Sequence, residues 1–206
     1  MSPVAPRHSA RTTNHAPAQF TASHYVADVH FGTFASSLGV LLVAATNHGI
    51  CFVALGDDAA ALQNDLHAAF PRASVTEDTP HLREWAREIE RLLTGAAPFV
   101  ALPLRTAGTP FQERVWAELR HIPPGERCSY QELARRIGKP TAARAVAQAC
   151  ASNRVAVLVP CHRVVRGTGD LGGYRWGVER KKALLEAERA AVEHAAVETS
   201  RGSAAQ

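Results

Sequence analysis

"SYQELARRIGKPTAARAVAQACASN", residues 129–153, carries two helical signals separated by a glycine turn. Ser129 stands three residues before Glu132, the spacing of a capping box in which each side chain satisfies the other's exposed backbone donor. Gly138 stops this short helix, and after "GKP" Thr141 can cap a second one, "AARAVAQACASN". Upstream, "TPFQERVWAELRHI" offers Thr109 as N-cap and Pro110 at the first helical position. Phe111, Val115 and Leu119 lie at i, i+4 and i+8 before "PPGE" ends the helix. Helix, tight turn with glycine, helix is the layout of a helix-turn-helix, so residues 108–189 read as a mainly α domain.

The second helix of the pair has unusual contents for a base reader. A major-groove helix presents Arg, Asn or Gln to base edges, whereas this one offers Ala142, Ala143, Ala145, Ala147 and Ala149, with Arg144 as its single charge. Small side chains suit close approach to the minor groove, which is only about 6 Å wide, and one protruding residue can wedge into the base stack. Thr141, Ala143 and Ala145 then face DNA with Arg144 as the wedge. A core helix with Arg144 at its rim fits the same composition, and the helix alone does not decide between them. Charge leans toward DNA: residues 1–107 carry 7 basic and 9 acidic side chains, residues 108–189 carry 15 and 8, and residues 190–206 carry 1 and 2. A basic segment of this kind fits a polyanion, because binding to phosphates releases counterions.

Farther on, "VLVPCHRVVRG", residues 157–167, sets Cys161 beside His162 and Arg163 where an apolar run ends. An unperturbed thiol with a pKa near 8.5 is only about 3% thiolate at pH 7, and lowering that pKa by two units takes about 2.7 kcal/mol. A neighbouring base must supply much of it. His162 follows Cys161 directly, so the side chains diverge and a bridging water is the more natural link. An activated thiol on a minor-groove binder points to chemistry on a base extruded from the duplex, with Arg144 filling the gap. The other cysteines, Cys51, Cys128 and Cys150, lie in apolar or helical contexts without an adjacent histidine and read as inert packing.

The first half is plainer. "VLLVAAT", "NHG" and "ICFVAL", residues 40–55, form two strands and a turn, and "DDAAALQNDLHAAF" follows with helical spacing. "HLREWAREIERLL", residues 81–93, puts Leu82, Trp85, Ile89 and Leu92 on one face, and the strand-like "TGAAPFVALPL" leads away. Residues 24–105 therefore read as a small α/β domain, linked near "RTAGTP", residues 105–110, to the second half. Residues 1–23 have early prolines and no apolar signal core, so a disordered leader is expected. The Ala-rich tail, residues 190–206, is helix or disorder. No run of about 18 apolar residues occurs, and the four cysteines form neither a CxxC pair nor a zinc pattern. No membrane, metal or cofactor is implied, and a cytoplasmic protein is expected.

"PCHRV" after an apolar strand, "SYQELA", "KPTAARAVAQACASN" and "GGYRWGVERKKALLEAE" together resemble the methylated-DNA-protein-cysteine methyltransferases, or O6-alkylguanine-DNA alkyltransferases. The likeness is greatest to the repair half of the bacterial adaptive-response protein. It covers residues 24–189 in plan and is strong from 108 to 189. The four-cysteine zinc module of that regulator has no counterpart in this sequence, so repair without a promoter switch is expected. The resemblance implies a ribonuclease H-like α/β N-terminal domain and a mainly α, winged-helix-like C-terminal domain. It also implies a monomer that flips O6-alkylguanine, with O4-alkylthymine as a second substrate, out of double-stranded DNA through the minor groove.

By the same resemblance Cys161 is the acceptor, with His162 linked to it through water and Glu188 orienting the histidine and favouring imidazolium. Asn153 holds the active turn, and Tyr130 donates toward guanine N3, offsetting negative charge as the alkyl group departs. The Val164 carbonyl and backbone donors near Tyr174 and Arg175 contact the guanine edge. Trp176 is bulkier than the residue of some relatives, and in the pocket wall it would favour methyl over larger adducts. Since an S-alkyl cysteine is a thioether with a poor leaving group, one alkyl group per chain is expected, irreversibly. A cysteine hydrolase would need an oxyanion hole and a histidine in direct reach. A sequence-specific regulator would need a discriminating helix, and a non-catalytic lesion sensor would lack the thiol.

Overall fold

The computed structural model describes residues 28–203, with side chains to residue 197. The expected leader, residues 1–23, and the last residues of the tail lie outside them. Strands β1 (Asp28–Ser36), β2 (Gly39–Thr46) and β3 (Gly49–Gly56) run antiparallel, and the short β4 (Ser74–Glu77) joins β1 in parallel, giving the order β3-β2-β1-β4. Helix α1 (Ala59–Ala69) and α2 (Thr79–Leu93) pack on this sheet. Asp58 caps α1 by accepting from Ala60 and Ala61 N–H.

Three expectations about this half change. The alternation of β1, with Val29 and Phe31 buried, adds a strand before the predicted hairpin. The buried face of α2 is Leu82, Ala86, Ile89 and Leu93, with Trp85 and Leu92 only partly buried beside it. The segment around "FVALPL" forms no strand: its prolines lack the ladder donor, and only Leu104 bridges Ile50.

The second half carries α3 (Pro110–Leu119), the two-residue strand β5 (Cys128–Ser129), α4 (Tyr130–Arg136) and α5 (Ala143–Ala151). A 3₁₀ turn (Cys161–Arg163) and β6 (Val164–Val165) follow, then the long α6 (Val178–Ser203), which continues into the predicted tail. Thr109 and Gln112 form a reciprocal capping box on α3. On α4 Ser129 accepts from Glu132 N–H, but the Glu132 carboxylate turns instead to Arg135 and Arg136, so only half of that predicted box forms. Gly138 takes the left-handed conformation, φ +70°, that ends α4. Thr141 does not cap α5. A backbone turn from Ala142 N–H to Lys139 O starts that helix at Ala143, and Thr141 is exposed in the turn.

The halves share one core. The outer edge of β3 pairs with the segment leading into the second half and with a segment inside it: Ile50 N–H donates to Pro103 O and Val53 N–H to Arg154 O, while Ala156 N–H returns to Val53 O. This edge bonding covers donors and acceptors that would otherwise be open. It also fixes residues 154–156, just upstream of Cys161, on the N-terminal sheet. Between them Val157 holds φ +67°, a genuine outlier for a β-branched residue, kept there by burial and by the Val159 N–H to Val155 O bond. No helix among the described residues is long and apolar enough to cross a membrane.

Trp116 ties α3 to the end of α5 through its buried Nε1–H to Ala149 O bond of 2.8 Å. Trp116→Phe removes that bond and leaves Ala149 O to Ser152 Oγ alone, and urea unfolding should show a loss of about 1 kcal/mol.

Candidate active site

The 3₁₀ turn brings Cys161, His162 and Arg163 into the interior, and each leaves in a different direction. Asn153, at the end of α5, pins the turn. Its Nδ2 donates to Val159 O at 2.9 Å and to Cys161 Sγ at 3.2 Å, and its Oδ1 accepts from Val155 N–H at 2.9 Å. Asn153 thus binds the chain before and after the strained Val157, which holds the turn from both sides.

Behind the turn, α6 presents Glu188. One carboxylate oxygen lies 2.8 Å from His162 Nε2, both oxygens accept from Arg163 at 2.8–3.2 Å, and Gly125 N–H reaches Oε2 at 3.1 Å. Burial alone would raise this acid. The hydrogen bonds and charges of His162 and Arg163 outweigh it and hold the carboxyl down to about 2. Arg163, next to the thiol in sequence, is therefore the counter-charge of Glu188. With the carboxylate already neutralised by Arg163, burial wins at the fully enclosed imidazole and lowers its pKa despite Glu188. Against the expected imidazolium, burial favours the neutral ring. With Nε2–H donating to the Glu188 carboxylate, Nδ1 is the unprotonated nitrogen, buried and without a hydrogen-bond partner among the described residues.

Cys161 also departs from expectation. Burial pushes its thiol up to about 11, against the Asn153 hydrogen bond and the Lys181 charge that favour the thiolate. It rests as a thiol, and a proton must leave it when it reacts.

Cys161 opens into a cavity of about 660 Å³ lined on one side by Ala143, Arg144, Ala147 and Ala151 of α5 and on the other by Gly172, Tyr174 and Arg175, with Tyr130 between them. The Tyr130 hydroxyl stays protonated, since burial raises its pKa. Ala145 lies on the exposed outer face of α5, not in the wall, because the 100° step of the helix turns it away from Ala143 and Ala147. Val164 and Trp176 do not line the cavity. Val164 is wholly buried in β6 and its carbonyl accepts from Lys181 Nζ at 2.6 Å, while Trp176 is buried behind Tyr174, ring edge to ring at 5.1 Å.

Several residues of the site carried no functional reading in the sequence. Lys181, fully buried, donates to Val164, Leu171 and Gly173 carbonyls and so holds the cavity's loop wall. Its signal was present: Lys181, Leu184, Leu185 and Glu188 fall at i, i+3, i+4 and i+7, one buried helix face that includes two charges. Cys150, expected as inert packing, is buried with its pKa raised by desolvation, and it also reaches the cavity wall. A larger cavity of about 800 Å³ lies at the seam of the halves between Trp85, Trp116 and Arg154; Cys161 does not open into it. Among the described residues no His, Cys, Asp and Glu cluster is arranged to hold a metal ion.

Known proteins with the same features agree on a lineage. The 6-O-methylguanine DNA methyltransferase ribonuclease-like domain matches residues 29–106, and the DNA binding domain of the same description matches residues 110–190. The bifunctional transcriptional activator/DNA repair enzyme Ada of Escherichia coli is 50% identical over 151 residues, 73% of this chain and 43% of its own length. The chain thus spans less than half of that relative. A methylated-DNA-protein-cysteine methyltransferase of Methanosarcina acetivorans is 34% identical over 160 residues, covering 78% of this chain and 98% of its own. The crystal structure of Mycobacterium tuberculosis OGT in complex with DNA superposes with a TM-score of 0.69 at 34% identity, over 79% of this chain and 94% of that one.

The charge cluster makes folding acid-sensitive in a defined way. A carboxyl with a depressed folded pKa stabilises the protein above its unfolded pKa, about 4.3, and that contribution is lost as pH falls toward the folded value of about 2. Urea midpoints should fall across this window in the wild type. Glu188→Gln, which strands Arg163, should cost about 3–5 kcal/mol at pH 7 and remove that part of the acid slope; an unchanged slope would contradict the assignment.

Proposed function

Because the chain belongs to the 6-O-methylguanine DNA methyltransferase family, we propose that it repairs DNA by direct reversal, moving the alkyl group of O6-alkylguanine onto its own Cys161. The observation that carries this reading is a sulfur that opens into a cavity of about 660 Å³ while the imidazole of the next residue is buried against the Glu188 carboxylate through Nε2. The two arms of the site have different jobs. The cavity receives the base, and the buried cluster receives the proton.

In the reaction Cys161 Sγ attacks the alkyl carbon as its proton passes through a water to His162 Nδ1. The new S–C bond forms as the C–O6 bond breaks, and the electron pair of that bond stays on the purine. Tyr130 donates a hydrogen bond to guanine N3 and offsets the charge arriving there. Imidazolium then exists only with Glu188 against it, in the same logic by which an acid orients a histidine base. The product is a thioether, which neither water nor any group of the site displaces, so each chain reacts once. The cavity is not shaped around the alkyl group alone, and O4-alkylthymine is a second expected substrate.

DNA docks through α4 and α5 used as a helix-turn-helix with the β5–β6 pair as a small wing. Exposed Thr141, Arg144 and Ala145 lie along that surface, with intermediate Ala143 at the cavity's edge. The alanines permit close approach in the minor groove, and Arg144, at the mouth of the cavity, takes the place of the extruded base. The chain acts as a monomer in the cytoplasm, where its cysteines stay reduced.

Excess O6-methylguanine duplex should deliver one methyl per chain and then stop, whereas Cys161→Ala takes up none; continued turnover would contradict the reading. The pH dependence tests the base. His162 titrates below the usual 6.5, so the single-turnover rate should still be above half of its plateau at pH 6.5 and fall only in more acidic solution. A midpoint at or above 6.5 would contradict a buried neutral histidine.

A further inference from the structure

Arg180 stands beside Lys181 in the first turn of α6, yet two of its three contacts lead out of the second half. Its Nε donates to Leu38 O at 2.9 Å in the turn between β1 and β2, Nη1 donates to Trp176 O at 3.1 Å, and Nη2 pairs with Asp57 at the end of β3. The Arg180 side chain is 17% exposed, whereas Asp57 is 91% exposed. The hairpin leaves room for the guanidinium: Gly39 has φ +99°, and a Cβ there would stand 3.2 Å from Nη2 and 2.5 Å from Gly56 O.

What Arg180 holds is one end of the cavity wall. Trp176 packs edge-on against Tyr174 at 5.1 Å, and Tyr174 lines the cavity and meets His162 edge-on at 6.4 Å. The Tyr174 hydroxyl is buried with no hydrogen-bond partner among the described residues, so ring packing sets where that ring stands. Lys181 fixes the other end of the same loop at Leu171 and Gly173. Two adjacent side chains of one helix thus staple residues 171–176, and the one that reaches the N-terminal sheet is Arg180.

We propose that Arg180 is a positioning residue that locks the Tyr174–Trp176 wall onto the N-terminal domain and so sets which adduct sizes the cavity accepts. The inference rests on the alkyl-transfer reading and assigns the N-terminal domain a part in it: selectivity exerted at a distance, without touching DNA. A planar fork is required, because three acceptors lie in different directions around it and a single ammonium cannot span them. Released from Arg180, Trp176 and then Tyr174 gain room to retreat, which admits larger groups and loosens the approach of small ones.

The test compares single-turnover rates on duplexes bearing O6-methylguanine and O6-benzylguanine, normalised to reactive thiol, for wild type, Arg180→Met, Arg180→Lys and Asp57→Asn. Arg180→Met should shift the benzyl-to-methyl rate ratio about tenfold toward benzyl, the scale of one charge-assisted hydrogen bond, with the Kd for undamaged DNA unchanged. Arg180→Lys should not restore the ratio. Asp57→Asn should move it the same way by only about twofold, since an exposed carboxylate contributes little. A general loss of stability lowers both rates or the reactive fraction and leaves the ratio alone. Should Arg180→Met not fold, Arg180→Lys and Asp57→Asn carry the comparison. A reactive wild type with the same ratio in every folded variant overturns the role of Arg180 alone, whereas a wild type that takes up neither group overturns the alkyl-transfer reading itself.

Discussion

The carboxylate of Glu188 is the point on which the second half is assembled. It lies almost wholly buried on α6 and binds three partners from two segments: His162 and Arg163 of the active turn and the backbone of Gly125 in the loop after α3. A charge placed so deep costs several kcal/mol of desolvation unless every lone pair is met. The sequence therefore had to place a guanidinium and an imidazole together, and the adjacent pair His162–Arg163 does so on one tight turn.

From this one cluster the chemistry of the site follows. Arg163 cancels the carboxylate, so the buried imidazole can remain neutral, with Nδ1 as the base of the proposed reaction. Cys161, equally buried, is held as a thiol, with burial outweighing Asn153 and Lys181. In the proposed reaction this protonated sulfur is a resting state that reacts once a substrate fills the cavity. The sheet of the first half contributes rigidity: β3 grips residues 154–156, Asn153 grips the turn, and the strained Val157 between them cannot relax without breaking one or the other.

Much of this was legible in the sequence where the determining chemistry is local. Thr109, Ser129 and Gly138 mark helix ends because capping depends on residues within one turn, and Cys161–His162 stands out through its own adjacency. Thr141 failed as a cap because a backbone turn from Lys139 to Ala142 took over the start of α5. Arg163 seemed a neighbour of the thiol because sequence distance hides that a 3₁₀ turn sends consecutive side chains apart. Val164 and Trp176 were assigned to the cavity for want of any way to see Lys181 on the carbonyl of one and Tyr174 in front of the other. Lys181 and Lys182 look alike in the run "RKK", and only the four-residue face shared with Leu184, Leu185 and Glu188 separates the buried one from the exposed one.

The central claim is that burial, with Arg163 cancelling the Glu188 carboxylate, holds His162 neutral, with its proton on Nε2 and Nδ1 unprotonated. Nitrogen-15 NMR of the histidine-labelled protein at pH 7 reads this directly, with His162→Asn supplying the assignment. The account predicts a His162 ring whose Nδ1 has the shift of an unprotonated nitrogen and whose Nε2 carries a slowly exchanging proton. Two protonated nitrogens, or a proton on Nδ1, would contradict it.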